Sequence, residues 1–255
     1  MKITQGYQSL SMSAFQFLEM HKLTPYQDIT KPLVVFGCYS LKDIQVIRNH
    51  KSTVVIQWEG LDSKAHKDLT PFKAKNIINV SPLPNVVAFF KTKGITCFLI
   101  RWVINEPLHP QLLGDKIYSY VHKGNPKYYG SDTIAKLNTK YEILTGDYTL
   151  STKEWKGEPR EKVYSQTFVG LQLCNYAGGG FGIVELGLRG IKVITNVLSL
   201  PHTIPWNTVE DIENAINKEA NRIGTINKDL AIEVYDAVMC SEKLKCYDLD
   251  QLLWN

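Results

Sequence analysis

Val163–Asn196, VYSQTFVGLQLCNYAGGGFGIVELGLRGIKVITN, is the stretch on which the reading of this chain turns. The apolar run Phe168–Cys174 reads as a buried strand. Asn175–Gly182 reads as a glycine-rich turn, Ile183–Arg189 as a short helix and, past Gly190, Ile191–Asn196 as a second strand. Strand, turn, helix and strand make one α/β unit. The consecutive Gly178, Gly179 and Gly180 carry no Cβ, so backbone can pass close to a bound group there. A helix start behind them leaves free N–H groups and a partial positive field, which suits phosphate. Phe181 belongs to the same turn. Glu185 falls in the first turns of the helix, where its carboxylate can accept from sugar hydroxyls. The same residues also fit a tight αβ connection with Glu185 as a favourable first-turn charge.

Upstream, the pattern repeats. Leu33–Phe36, LVVF, reads as a buried strand ending at Gly37. Ser40, with Asp43 at the capping-box position, predicts a helix over Leu41–Asn49. Val54–Trp58 is the next strand, and Asn76–Val80 and Ile95–Val103 extend the series. Val86–Lys91 reads as a helix or an extended core piece. Met1–Lys31 is a mixed segment, with a helix expected over Ser11–His21. NEPLHPQLLG, Asn105–Gly114, marks a linker, so the expected domains are 1–112 and 113–255. Past it, Lys116–Val121 and Tyr141–Leu144 read as strands, and Ser131 or Asp132 as the cap of a helix toward Leu137. Thr208 caps a helix over Val209–Ile223, with Ile212, Ala215 and Ile216 on one face. A last helix spans Lys228–Met239, and the remainder packs back as a short segment.

The 255 residues suffice for one large or two small domains, and 44% hydrophobic content supplies their cores. The formal charge of +4 suits an anionic substrate without indicating a dedicated nucleic-acid binder. Five cysteines, none in a CxxC pair, read as buried free thiols of a reducing, cytoplasmic compartment, with a Cys240–Cys246 bridge as the alternative. No signal-peptide core opens the chain, and Cys97–Ile104 is too short to span a bilayer; peripheral membrane contact stays open. The six histidines and the cysteines show no compact metal-ligand spacing. GGGFG lacks the lysine and hydroxyl residue of a P-loop, no G-x-S-x-G elbow is present, and no suitable acidic signature for a dinucleotide follows.

Tyr164–Ser165, the strand Phe168–Leu171, Gly178–Gly180, Glu185–Leu186–Gly187, Gly190 and the strand into Asn196 together resemble the donor-binding half of a GT-B-type glycosyltransferase of the glycosyltransferase 4-like family. VVFGCYS at Val34–Ser40 and VVIQWEGLDS at Val54–Ser63 add a weaker similarity in the first half. The resemblance implies an α/β fold of two Rossmann-like domains with parallel sheets facing a central cleft. It implies a sugar moved from a UDP- or GDP-linked donor to a glycan or other hydroxyl acceptor, with no cofactor and no metal required. On this likeness Glu185 contacts the donor ribose, while Gly178, Gly179, Gly180 and Phe181 approach sugar or phosphate. His122, Lys123 and Lys127 bring positive charge toward the diphosphate, and Asn196 follows a strand edge on the donor side. Tyr39, Ser40 and Trp58 are acceptor-side candidates. An inverting reaction needs a base, for which Asp62, Glu59 and Asp28 are candidates.

Each candidate has a plainer role: Ser40 as a helix cap, Trp58 as core, Asp62 in a turn, Lys123 as a solvated lysine. One departure stands out. Many members of the family carry two glutamates separated by seven residues; Glu185 stands at the later position, and Ala177 occupies the earlier. Two alternatives therefore accompany the transferase reading. One is glucosyl transfer to modified DNA bases, which a basic groove with aromatic residues would support. The other is a noncatalytic nucleotide-sugar-binding or interaction protein with a degenerate GT-B fold.

Overall fold

A computed structural model describes residues 2–3, 5–8, 18, 23–100, 108–121, 125–146, 158–174, 180–197, 200–238 and 247–248. The chain forms two compact units, the first built on the residues up to Asn105 and the second on Glu106–Val238.

In the first unit, β1 (Lys2–Ile3), β2 (Gln5–Gln8), β3 (Thr24–Pro25), β4 (Leu33–Phe36), α1 (Leu41–Asn49), β5 (Val54–Gln57), β6 (Ile77–Ser81), α2 (Pro84–Thr92) and β7 (Cys97–Leu99) follow one another. Six of these strands form one parallel sheet in the order β3-β2-β4-β5-β6-β7. Parallel strands joined by helices are covered on both faces, and every residue of β4 and β5 is buried. α1 starts where the sequence says it should. Ser40 Oγ accepts the Asp43 amide, and the Asp43 carboxylate accepts the Ser40 amide in return. Trp58, Phe72 and Phe90 form the aromatic core, with Trp58 to Phe72 at 4.9 Å and Trp58 to Phe90 at 4.7 Å.

β2 is the strand that the sequence hides, because QGYQ has no apolar run. Gln5 takes the place of a core side chain: it is buried, donates to the Asp28 and Lys31 carbonyls at 2.6 and 3.0 Å, and accepts the Asp28 amide at 3.1 Å. A buried polar group so satisfied carries little penalty.

In the second unit, β8 (Lys116–Tyr120), α3 (Ser131–Ile134), β9 (Ile143–Gly146), α4 (Glu158–Ser165), β10 (Thr167–Gln172), α5 (Gly180–Gly187), β11 (Lys192–Thr195), β12 (Thr203–Ile204), α6 (Val209–Ala220) and α7 (Lys228–Val238) follow in order. The sheet runs β12-β11-β10-β8-β9, again all parallel. β10 lies at its centre and is buried along its whole length. Thr208 and Asp211 close a capping box on α6 as expected. α3 departs from expectation: Gly130 is its N-cap, in the left-handed region at φ 82°, so Ser131 and Asp132 lie inside the first turn and neither caps it. The segment after residue 107 joins this unit, with His109 and Gln111 donating to the Leu188 and Arg189 carbonyls. β13 (Tyr247–Asp248) then returns to the first unit and pairs antiparallel with β1. Ser11–His21, apart from Leu18, falls outside the described residues, as do Cys240 and Cys246. Cys38, Cys97 and Cys174 are free thiols.

Candidate functional site

The central unit of the sequence becomes β10, α5 and β11, with one change: the helix begins at Gly180, inside the glycine run, rather than at Ile183. Glu185 therefore sits in the second turn, away from the free N–H groups of the start. Its burial and partners replace the helix field as the explanation of its place. The side chain is buried at 7% exposure, and the Tyr164 hydroxyl donates to its Oε2 at 2.9 Å. Tyr164 comes from the last turn of α4 and is itself buried. Its ring meets Tyr118 edge-on at 5.4 Å and carries the Arg189 guanidinium at 5.0 Å. Arg189 donates to the Glu185 carbonyl at 2.8 Å and forms an ion pair with Glu161. Gln111 donates to the Tyr164 carbonyl. Tyr118, Gln111 and Arg189 thus hold Tyr164 and its surroundings, and the Tyr164 hydroxyl reaches the carboxylate.

Beneath α5, Gly187 and His202 fit each other. A Cβ at Gly187 would stand 2.7 Å from the imidazole, and His202 Nε2 bonds the Ile183 carbonyl at 2.8 Å. Burial lowers the His202 pKa to about 4, against the pull of that carbonyl, so the ring is neutral and Nε2 carries the proton. Gly190 ends the helix at φ 78° beside the Asn227 carbonyl, which a Cβ would approach to 2.5 Å. A cavity of about 10 Å³, the size of one water, lies between α5 and the sheet among Tyr118, Tyr164, Gln172 and Ile183.

Among the other donor-side expectations, Gly180 is the first residue of α5 and Phe181 its second, although the side chain of Phe181 is outside the described residues. Gly178, Gly179, His122 and Lys123 are also outside them. Lys127 is exposed, 3.9 Å from Asp132. Asn196 is exposed and holds Trp206 as a backbone strand would, donating to its carbonyl at 2.7 Å and accepting its amide at 3.0 Å.

The first unit brings the acceptor-side candidates and two of the base candidates, Glu59 and Asp62, to the ends of β4 and β5. Ser40 caps α1, and the Tyr39 amide donates to Asp43 at 2.9 Å. Trp58 is fully buried, with its Nε1 donating to Asn79 at 3.0 Å, so in this state its ring presents no face to a ligand. Asp62 is fully buried and accepts the amides of Cys38, Glu59, Gly60 and Ser63 at 2.8–3.2 Å. It ties the end of β4 to the loop after β5. Burial pushes its carboxyl up to about 6, with the four amides pulling the other way. Glu59 is half-buried, accepts from Gln57 at 2.9 Å, and is pushed up to about 8 by burial first and the Asp62 charge second. Of this pair Glu59 has the exposure and the near-neutral titration that proton transfer asks for, while Asp62 organises the loop. Asp28 is half-buried and turned onto Thr30 and Lys31.

Sequence reasoning missed Tyr164 as a site residue, and with it Glu161, Arg189 and Gln111. Arg189 had a signal, being four residues beyond Glu185 on a helix. The others lie on separate segments, and a single sequence does not pair them. Among the described residues no group of three or more His, Cys, Asp or Glu could hold a metal ion, and no helix is long and apolar enough to cross a membrane.

No family model and no curated protein matches the chain. Among solved structures, an S. aureus TarM variant in complex with fondaparinux, α-GlcNAc-glycerol and UDP aligns with a TM-score of 0.51 at 13% identity, covering 80% of this chain and 50% of that one. A second TarM structure gives 0.49 at 13% identity over 82% and 51%, and the Glycosylation Associate Protein (Gap123) complex from Streptococcus agalactiae gives 0.44 at 9% over 89% and 54%. The chain spans about half the length of the solved structures it matches. At 13% identity the 0.51 match shows the fold: two Rossmann-like α/β units of GT-B type, each a parallel sheet flanked by helices.

Proposed function

We propose that the chain is a glycosyltransferase that moves a sugar from a UDP- or GDP-linked donor to a hydroxyl acceptor. The second unit holds the donor and the first the acceptor. The observation that carries this reading is the Glu185 carboxylate, fixed by Tyr164 on a helix that begins in a glycine run at the end of the central strand. A carboxylate so held accepts two hydroxyl hydrogen bonds from one ribose, and it anchors the nucleoside rather than moving a proton. Gly178–Gly180, His122, Lys123 and Lys127 then offer N–H groups and positive charge to the departing diphosphate, which lowers the barrier without a metal. Glu59 takes the base role where the reaction inverts. The UDP and α-GlcNAc-glycerol in the TarM complex favour UDP among the donors.

The test is thermal stabilisation by UDP, GDP, ADP, CMP and their sugar conjugates, for the native chain and Glu185→Ala. At a ligand concentration of one hundred times Kd, a selective binder adds about 2.7 kcal/mol. Selective stabilisation by one diphosphate nucleotide, lost in Glu185→Ala, is the expected result. No shift at millimolar ligand from a folded sample overturns the donor site. A second reading, donor binding without turnover, draws on Ala177 at the earlier glutamate position. Nucleotide binding with no transfer to any of a broad acceptor panel would favour it.

A further inference from the structure

The first unit carries a second feature, which begins in the segment that follows Asp62. A surface groove of about 520 Å³ is lined by Lys64, Lys67, Lys73 and Lys93, with Asp68 and Phe89 among its other walls. Lys64 and Lys73 end the two short helical turns after β5, Lys67 lies between those turns, Lys93 caps the end of α2, and all four are exposed. One carboxylate faces them, and it is already engaged: Asp68 accepts the Thr70 amide at 2.9 Å and lies 3.7 Å from Arg48. Among the described residues Lys67, Lys73 and Lys93 make no ion pair. Like charges gathered around a concave surface repel one another, and they focus a positive potential into it.

We infer that this groove binds a single-stranded phosphodiester chain through its backbone. Three observations select that occupant. Lysine ammonium groups contact phosphate as point charges with no demand on geometry, which suits a flexible chain better than a fixed planar carboxylate. Phe89 is flanked by Lys64 at 5.9 Å and Lys93 at 5.7 Å, so its ring steadies two cations rather than offering a free face for base stacking. Recognition is therefore of phosphate, without base readout. The lining has no exposed large apolar side chain, and a concave surface without such anchors does not fit a membrane. The inference does not depend on the donor-site reading.

The experiment is fluorescence anisotropy of a labelled oligothymidylate with the full chain, at 50 and 200 mM salt. Four lysine–phosphate contacts predict a roughly 50-fold loss of affinity across that range. In the double variant Lys67→Glu, Lys73→Glu, binding weakens and the salt effect falls to roughly 7-fold. The control Lys136→Glu, Lys218→Glu makes the same charge change on exposed lysines of the second unit, and it binds like the native chain. Equal weakening in both variants overturns the groove in favour of net charge. No binding at 50 mM salt also overturns it. So does binding confined to anionic lipid vesicles or to inorganic tripolyphosphate. Circular dichroism of each variant separates lost binding from lost fold.

Discussion

Replacing Tyr164 by Phe removes one oxygen and leaves the rest of the site in place. The ring keeps its edge contact with Tyr118 at 5.4 Å and its place under Arg189 at 5.0 Å. What goes is the 2.9 Å hydrogen bond to a carboxylate with 7% exposure. A hydrogen bond to a charged group contributes about 1.5–3 kcal/mol net, and the little exposure that Glu185 keeps sets the expectation toward the lower end. The loss belongs to the second unit, so the readout should too: hydrogen exchange of β10 and α5 amides in urea reports on that unit without averaging over the first.

A double-mutant cycle makes the test specific. In a Glu185→Gln background the tyrosine still meets an amide oxygen, but a neutral hydrogen bond contributes only about 0.5–1.5 kcal/mol. Tyr164→Phe should therefore cost about 1 kcal/mol less there than in the native chain, beyond the roughly 0.5 kcal/mol within which independent sites add. Strict additivity, or a cost below about 0.5 kcal/mol in the native background, would refute the claim that Tyr164 holds the carboxylate.

Other consequences are open to measurement. Glu59 has a folded pKa raised from 4.5 to about 8, so its stabilising share is present below pH 4.5 and is lost as pH rises toward 8; Glu59→Gln should flatten that decline in the first unit's urea midpoint. His202 has the opposite sign: its pKa is lowered from 6.5 to about 4, so stability of the second unit is held above pH 6.5 and lost as pH falls through 4, by about 3 kcal/mol in all, and His202→Gln should remove most of that slope. Asp62→Ala leaves the buried or half-buried amides of Cys38, Glu59 and Gly60 without their acceptor, while the Ser63 amide keeps the Gly60 carbonyl, and should destabilise the first unit by about 3 kcal/mol, read as faster proteolysis of the loop after β5. Gly187→Ala places a methyl 2.7 Å from the His202 ring and should cost about 1–3 kcal/mol in thermal unfolding.

The sequence was most informative where one local rule suffices. β4 and α1 occupy their expected ranges because LVVF has nothing to do but be buried, and because Ser40 and Asp43 satisfy each other's amides. β2 was illegible because its stability comes from Gln5 bonding loop backbone more than twenty residues away. The glycine helix shows a subtler limit. Gly180 and Gly182 have poor helix propensity, so the helix was expected to begin after them, yet α5 starts at Gly180. A Cβ at Gly182 would stand 3.6 Å from the Tyr164 hydroxyl, an ordinary contact distance, whereas one at Gly187 would stand 2.7 Å from the His202 ring, so close packing requires glycine at the end of the helix and not at Gly182.

A buried carboxylate in each unit accepts a tyrosine hydroxyl, and what else it does bears on the choice between transfer and binding alone. Asp43 accepts Tyr7 at 2.9 Å together with the Tyr39 and Ser40 amides, and Asp62 accepts the Cys38 and Gly60 amides, so both fix the loops after β4 and β5. Glu185 receives the Tyr164 hydroxyl at Oε2, on a helix that opens on Gly180. Holding a carboxylate by a tyrosine that an arginine and a second tyrosine in turn position is an arrangement that fixes direction as well as charge. An inverting transfer needs one thing more, a group able to exchange a proton near neutral pH, and Glu59 meets that condition through burial first and the neighbouring Asp62 charge second. Asp62→Asn removes the charge and also turns an NH2 toward backbone N–H groups that the carboxylate accepts, so it should destabilise the first unit, lower the Glu59 pKa and move the acid limb of any transfer activity to lower pH, while leaving UDP binding at the second unit unchanged. A variant that instead lost UDP binding would show that the Asp62 loop serves the donor, and the division of roles between the two units would have to be abandoned.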